Sequence, residues 1–273
     1  MELRGTAVII TGASRGLGAA LAEELGRAGA RMVLVSRDRE ALGSVVERIR
    51  AQGGEAHAVV ADVSAPDSAS RVAGTSGALV GPAEVVIHNA GTLGPVPLAP
   101  LADTTDADFE EALATNLLGP FRLTRALVGS MALRGRGTVV LVSSDAATVP
   151  YAGWGAYGVS KAALEHLGRI WNAELSATGV SFLTVDPGEM DTRMHREAVP
   201  DADPSTLTRP EQAAARVVAL LREAACGTLS GTPPRPWTRR RGGSSTSICG
   251  GECSPTRPST PCPSSSIRRI SWW

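Results

Sequence analysis

Short apolar segments alternate with longer amphipathic segments between residue 6 and about residue 225. The short segments are rich in β-branched residues and predict strands, whereas the longer ones have the spacing of helices. The predicted strands span residues 6–11, 31–36, 55–62, 83–91, 137–144 and 180–188. The predicted helices span residues 16–29, 39–54, 66–79, 106–134, 155–178 and 210–225.

The predicted strands are apolar almost throughout, which is typical of strands that are buried on both faces. Regular alternation of such strands with helices predicts an α/β fold, a doubly wound parallel sheet with right-handed crossovers. Ligands of these sheets bind outside the carboxyl ends of the strands. Catalytic and binding residues are therefore expected directly after the strands.

Bulk composition excludes several classes of protein. The 273 residues carry no formal net charge, so nothing global indicates binding to nucleic acid. No apolar run is long enough for a transmembrane helix, and the N-terminus does not resemble a signal peptide. The sequence thus predicts a cytoplasmic protein with no membrane partner. One cysteine, Cys226, lies outside the last 42 residues, as expected in a reducing compartment.

A glycine-rich turn, "TGASRGLG", joins the first strand to the first helix at residues 11–18. In this context the backbone N–H groups of the turn can approach a pyrophosphate at the helix N-terminus. A tight turn without a ligand is the alternative. The glycines Gly12, Gly16 and Gly18 are spaced Gly-x-x-x-Gly-x-Gly, so the turn differs from the commonest dinucleotide-binding pattern.

The end of the second strand should meet the ribose of the adenosine. An acidic residue there favours NAD, and an arginine accommodates the 2′-phosphate of NADP. Ser36 and Arg37 occupy this end, and Arg15 in the turn can reach the same phosphate. Asp38 follows and is expected to start the next helix. The pattern favours NADP(H) over NAD, with solvated surface arginines as the alternative.

Further polar residues follow the third and fourth strands. Asp62 is placed to accept a hydrogen bond from an adenine amino group, or it is a plain turn aspartate. His88 is a lone histidine at the end of an apolar strand, and we interpret it as structural. No acidic or histidine partners stand at ligand spacing, so no metal is predicted.

The fifth strand ends in Ser143 and Ser144, and Tyr157 and Lys161 follow in the segment "AYGVSKAALEH" at residues 156–166. Residues four apart share one face of a helix. A lysine there favours a tyrosinate and moves a phenol towards useful acid/base chemistry. A bare Tyr-x-x-x-Lys would more often be a surface pair.

The motifs "TGASRGLG", "HNAG", "YGVSK" and "DPG" occur in order together with Asn116 and Ser144. In this combination residues 1–231 resemble the classical short-chain dehydrogenases/reductases, which have a Rossmann-like fold. The resemblance implies that Tyr157 is the general acid/base, that Ser144 orients the substrate oxygen, and that Lys161 binds the nicotinamide ribose and lowers the pKa of Tyr157. It implies that Asn116 holds a water molecule that links Lys161 to solvent.

The same resemblance implies hydride transfer between NADP(H) and a carbonyl or secondary alcohol, in a homodimer or homotetramer. The residues expected at the cofactor are Gly12, Ser14, Arg15, Gly16, Leu17, Gly18, Ser36, Arg37, Asp62, Val63, Asn89, Ala90, Gly91, Tyr157, Lys161, Pro187, Gly188 and Thr192. The substrate pocket is expected to be apolar or tolerant of aromatic groups, and its candidates are Ser144, Tyr151, Trp154, Met190, Leu93 and Met194. Residues 192–210 are polar and predict a mobile lid.

The chain changes character at about residue 232. The family has a seventh strand here, but the segment 232–273 holds three early prolines, seven arginines and one acidic residue, without strand or helix periodicity. We expect it to be disordered, with the seventh strand replaced. Three interpretations of the segment are open: a binding site for an anionic partner, a metal-binding module, and the product of a reading-frame shift. We favour the reading-frame shift.

Two further hypotheses on function stay open from the sequence. The first is a non-catalytic NADP-binding protein that regulates or scaffolds a partner. The second is an enzyme impaired by its altered C-terminus, because loss of an edge strand exposes the neighbouring strand.

Overall fold

The computed structural model describes residues 2–224 and 269–270. These residues form one parallel sheet with the strand order β3-β2-β1-β4-β5-β6-β7. The chain therefore adds β2 and β3 on one side of β1. It then returns to form β4 on the other side of β1 and continues outward through β5 to β7. The predicted doubly wound sheet of six strands is confirmed, and its reversal point lies between β1 and β4.

The strands are β1 (Ala7–Thr11), β2 (Arg31–Ser36), β3 (Glu55–Val60), β4 (Val85–His88), β5 (Gly137–Val142), β6 (Val180–Val185) and β7 (Arg269–Ile270). The helices are α1 (Gly16–Arg27), α2 (Arg39–Ala51), α3 (Ser68–Val80), α4 (Asp106–Leu113), α5 (Gly119–Leu133), α6 (Gly155–Leu175), α7 (Arg193–Ala198) and α8 (Pro210–Ala224).

The apolar strands are buried on both faces, as their composition predicts. Ile10, Leu34 and Ile87 face one layer, which contains residues of α1, α2 and α8. Ile9 and Val86 face the other layer, which contains residues of α3, α5 and α6. The sheet therefore lies between two helical layers. Because all its strands are parallel, their carboxyl ends lie together at one edge.

The segment between α3 and β5 differs from its prediction. Instead of one helix over residues 106–134, α4 passes through a π-helical turn at Ala114–Leu118 into α5. Pro120 lies in the first turn of α5, where a missing N–H group is tolerated. The π-turn was not predictable from apolar spacing, and it contains Asn116.

The predicted lid at residues 192–210 contains α7 and a short 3₁₀ turn, Pro204–Thr206. Main-chain hydrogen bonds tie its end to the sequence after β6, from Thr208 N to Glu189 O and from Asp191 N to Thr208 O. These bonds fasten the C-terminal end of the segment to the residues that follow β6.

Most of the predicted disordered tail lies outside the described residues. The described part differs from the prediction at Arg269 and Ile270, which form a two-residue strand parallel to β6. They pair with Thr184 and Val185, so this part of the β6 edge is covered. In the part of the chain that the structure describes, no helix has the length and apolarity needed to cross a membrane.

Candidate active site

A cleft of about 1270 Å³ runs along the carboxyl edge of the sheet and contains nearly every predicted site residue. Two predicted residues, Gly18 and Asn116, do not line it. The predicted residues that line it are Gly12, Ser14, Arg15, Gly16, Leu17, Ser36, Arg37, Asp62, Val63, Asn89, Ala90, Gly91, Leu93, Ser144, Tyr151, Trp154, Tyr157, Lys161, Pro187, Gly188, Met190, Thr192 and Met194.

The glycine turn is locked to the end of β4. The Thr11 hydroxyl accepts hydrogen bonds from the backbone N–H groups of Asn89 and Ala90, both at 3.1 Å. The Asn89 side chain donates to the carbonyls of Thr11 and Gly12, both at 3.0 Å. Thr11 therefore acts as a lock, a role that we did not predict, and the Asn89 amide holds the turn from behind.

Gly18 lies beneath the turn, which explains why it does not line the cleft. A Cβ atom there would lie 2.2 Å from the Gly12 carbonyl oxygen and 2.5 Å from Asn89 Nδ2. Gly12 itself has a φ of +68°, a conformation that favours glycine. Both glycines are thus required by backbone packing, and that packing lets the turn approach a ligand closely.

The residues of the turn fit a dinucleotide pyrophosphate. No side chain caps the N-terminus of α1 in the described chain, and its first turn has no acidic residue. The first backbone N–H groups of a helix lack partners within the helix and attract anions. Gly16 and Leu17 line the cleft, so a phosphate bound there would meet this end of the helix.

Two ion pairs border the adenosine side of the cleft. The guanidinium of Arg15 lies 2.6 Å from a carboxylate oxygen of Asp38, which caps α2 as predicted. Arg37 lies 3.6 Å from Asp62. Asp62 also accepts hydrogen bonds from the backbone and side chain of Ser64, as in the turn-aspartate alternative. These bonds hold its pKa below the usual range despite partial burial.

Tyr157 lies on the first turns of α6 and is 7% exposed. Burial raises its pKa to about 12, and the negative charges of Asp186 and Asp145 act in the same direction. A hydrogen bond with the Ser144 side chain opposes them. Burial is the largest of these effects, and the lowering by Lys161 that the resemblance implies stays a prediction.

Lys161 is one helical turn further along α6 and is 4% exposed. Its Nζ donates to the Val142 carbonyl at 2.8 Å and lies 5.5 Å from the centroid of the Tyr157 ring. Burial lowers the Lys161 pKa to about 8, and the charge of Asp186 opposes that lowering. The structure therefore brings Ser144, Tyr157 and Lys161 together at the floor of the cleft.

Asn116 lies behind this group in the π-turn. Its amide donates to Thr92 O and Ser160 Oγ, both at 2.8 Å, and accepts from Thr92 N at 2.9 Å. The side chain therefore fastens the π-turn to the residue before Lys161. The water that the resemblance implies at Asn116 stays a prediction.

The substrate side of the cleft has an aromatic and apolar wall. The Trp154 ring meets the edge of Tyr157 with centroids 5.7 Å apart, and Tyr151 lies beside Trp154 at 6.2 Å. Leu93 and Met194 pack in the same cluster. At the rim, the Tyr151 hydroxyl donates to Asp145 at 2.6 Å, which raises the Tyr151 pKa.

Three acidic residues of the site escaped the sequence analysis. Asp145 accepts a hydrogen bond from the Ser144 hydroxyl at 2.9 Å. Glu165, a buried residue of α6, accepts one from Ser143 at 2.7 Å. Asp186 is buried at the end of β6. An acidic residue at the end of an apolar strand is the signal that would have identified Asp186 in the "DPG" motif.

Comparisons with known proteins identify the family of the chain. Residues 6–203 match the family model of the short chain dehydrogenases. A short chain dehydrogenase of Pseudocercospora fijiensis is 34% identical over 195 residues, which are 71% of this chain and 62% of the fungal protein.

Two solved structures share the fold. A metagenomic short-chain oxidoreductase in complex with NADP has a TM-score of 0.70 at 36% identity, over 81% of this chain and 92% of that one. A 7α-hydroxysteroid dehydrogenase complexed with NADH and 7-oxo glycochenodeoxycholic acid has a TM-score of 0.75 at 28% identity, over 82% and 91%. The chain belongs to the short chain dehydrogenase family and is an oxidoreductase.

Proposed function

We propose that the protein is an NADP(H)-dependent reductase of aldehydes or ketones in which Tyr157 donates the proton. One observation carries the proposal. The Tyr157 phenol is buried at the cleft floor, hydrogen-bonded with Ser144, and its ring lies 5.5 Å from the Lys161 ammonium. A phenol held between a hydroxyl and a cation is placed to exchange a proton with the oxygen of a carbonyl substrate.

The residues divide the reaction between them. A nicotinamide cofactor bound in the cleft beside Tyr157 and Lys161 would supply the hydride. The Ser144 hydroxyl holds the substrate oxygen beside the Tyr157 phenol, which gives that oxygen its proton. Lys161 places a positive charge next to the tyrosinate that is left, and solvent protons then restore the phenol. Orientation and fixed charges supply most of the rate in such a site.

NADP(H) is the proposed cofactor because two guanidiniums flank the place where a ribose 2′-phosphate would lie. Arg15 and Arg37 are both more than half exposed, so they can turn from Asp38 and Asp62 towards a phosphate. A phosphate offers each arginine a charge-assisted, bidentate partner. Asp38 already caps α2, and this favours its use in the helix instead of on a ribose hydroxyl.

The charges and the apolar wall together narrow the substrate. Trp154, Leu93 and Met194 offer an apolar surface to the substrate body. Asp145 and Glu189 act on the Tyr151 hydroxyl at the rim and place negative charge there. We therefore propose a carbonyl substrate with an apolar body that carries no negative charge at the Tyr151 rim.

Replacement of Tyr157 by phenylalanine tests the function. Carbonyl-dependent NADPH oxidation by the Y157F variant should fall by at least about a hundredfold, because general acid catalysis contributes 10²- to 10⁴-fold. NADPH binding, measured by fluorescence titration, should stay close to the wild-type value. Equal turnover by both proteins would contradict the mechanism. Binding of NADPH without turnover of any carbonyl in a broad panel would favour a regulatory protein instead.

The family resemblance implies that two or four copies of the chain pair through α5 and α6, and we keep this assembly as a proposal. Apolar side chains on these helices reach the surface, including Leu133 at 90% exposure and Ile170 at 44%. Sedimentation of the purified chain would measure the assembly directly.

A further inference from the structure

Asp186 is a carboxylate at the end of an otherwise apolar strand, and the reaction steps above give it no role. The residue is 3% exposed. The Gly188 backbone N–H donates to its Oδ1 at 3.0 Å, which fixes the carboxylate at the start of the Pro187–Gly188 turn. A carboxylate is costly to bury without compensating interactions, so its position calls for a physical reason.

The register of the sheet places Asp186 near Lys161. Val142 and Val185 are direct partners in the β5–β6 ladder. Lys161 Nζ donates to the carbonyl of Val142, and the Ser143 N–H donates to the carbonyl of Val185. The residue after Val185 thus emerges on the strand beside the ammonium. The charge of Asp186 acts on both Lys161 and Tyr157.

The buried ammonium of Lys161 needs a compensating charge. Its hydrogen-bond acceptor is a neutral carbonyl, and desolvation disfavours a buried ammonium. The face of Tyr157 gives weaker support from the same helix. Gly91, in the loop after β4, approaches Lys161 as a neutral residue, since an added Cβ atom there would lie 3.7 Å from Nζ. Asp145, after β5, acts on Tyr157.

We propose that Asp186 is a positioning residue of the reaction, whose carboxylate keeps the buried Lys161 side chain charged over the working pH range. The proposal rests on the proposed function, in which Lys161 stabilises the tyrosinate left by proton donation. The same carboxylate disfavours the tyrosinate of the resting site. Asp186 therefore favours a charged Lys161 ammonium together with a protonated Tyr157 phenol, and carbonyl reduction starts from these two forms.

The alkaline limb of the pH profile tests the proposal. Wild-type kcat/KM for carbonyl reduction should decline above about pH 8, the pKa of Lys161. The Asp186→Asn substitution removes a negative charge that raises the Lys161 pKa. The alkaline limb of this variant should therefore move to lower pH by about one unit or more. Asp191→Asn is the matched control. It removes a half-exposed carboxylate paired with Arg196 after the same strand, and its limb should stay in place.

A second measurement needs neither cofactor nor turnover. The folded-state pKa of Lys161 lies below its ordinary value of 10.5, so above about pH 8 the unfolded state binds more protons. The free energy of unfolding of the apoprotein should therefore rise with pH between about pH 8 and 9.5. In Asp186→Asn that rise should begin at lower pH. Asp186→Ser serves the same measurements if the asparagine variant does not fold.

The outcomes are distinguishable. An Asp186→Asn variant that loses activity equally at all pH values, with the limb and the stability curve unmoved, overturns the proposal and makes Asp186 structural. A wild-type enzyme that turns over no carbonyl overturns the proposed function, and the stability curve still decides whether Asp186 acts on Lys161.

Discussion

At the ends of β1 and β4 the cleft is formed by backbone packed against backbone, whereas at the ends of β5 and β6 it is formed by buried hydroxyls and charges. The first region relies on Gly12, Gly18 and the Thr11 lock. The second relies on Ser144, Tyr157, Lys161 and the carboxylates around them. The difference teaches that cofactor binding here depends on close approach and that proton transfer depends on electrostatics. Substitutions in the two regions should therefore fail in different ways.

The largest effect is expected from Gly18→Ala, which breaks the backbone region. The new Cβ would overlap the Gly12 carbonyl and the Asn89 amide, and overpacking of this kind costs about 1–3 kcal/mol of stability. Displacement of the turn should weaken NADPH binding by about a hundredfold, the equivalent of roughly 2.7 kcal/mol. Calorimetric titration with NADPH and urea unfolding measure the two effects.

Gly43→Ala is the matched control, since Gly43 lies inside α2 and a Cβ there meets nothing within 4 Å. This variant should keep wild-type NADPH affinity and gain about 0.5–1 kcal/mol of stability. Unchanged NADPH affinity in Gly18→Ala would show that the turn can shift without loss of binding. The proposed difference between the two regions would then be wrong.

An intermediate effect is expected from Arg37→Ala, which acts on the charged rim of the cofactor region. Loss of one charge-assisted bond to a 2′-phosphate should lower kcat/KM with NADPH by about 10- to 100-fold and leave the value with NADH unchanged. Arg39→Ala removes an exposed arginine of α2 outside the cleft and should change neither value. Equal losses with both cofactors would contradict the proposed preference for NADP(H).

The sequence predicted most of the backbone region because its signals are local. The glycine spacing, the strand before it and the helix after it are neighbours in the chain, and Asp38 was identified as the cap of α2. Apolar periodicity also predicted β1 to β6. It did not predict the π-turn at Ala114–Leu118, which is a single turn within an otherwise helical segment.

The charged region was less accessible to sequence analysis because its contacts join distant segments. The spacing of Tyr157 and Lys161 indicated a shared helix face, and the structure has it. Which carboxylates face that pair depends on which strands are neighbours and on their register. The pairing of β5 with β6 places Asp186 where its charge acts on Lys161, and no local pattern contains that information. The raised pKa of Tyr157 likewise follows from burial in the folded chain.

The smallest effect is expected from Glu165, which supports the charged region from one layer behind. Its carboxylate accepts the Ser143 hydroxyl and lies 3.3 Å from Arg169, so it ties the end of β5 to α6. Glu165→Leu keeps the approximate size and leaves the Ser143 hydroxyl without its acceptor. The stability should fall by about 1–3 kcal/mol, and kcat should fall several-fold because Ser144 adjoins the loosened residue.

Glu165→Gln retains an acceptor for Ser143 and should stay close to the wild type in both measurements. A double-mutant cycle with Ser143→Ala then isolates the bond. If Ser143 and Glu165 act through it, the double variant loses less stability and less kcat than the two single losses added together. Strict additivity would show that Glu165 stabilises α6 through Arg169 and not through Ser143. The charged region would then include only residues that line the cleft.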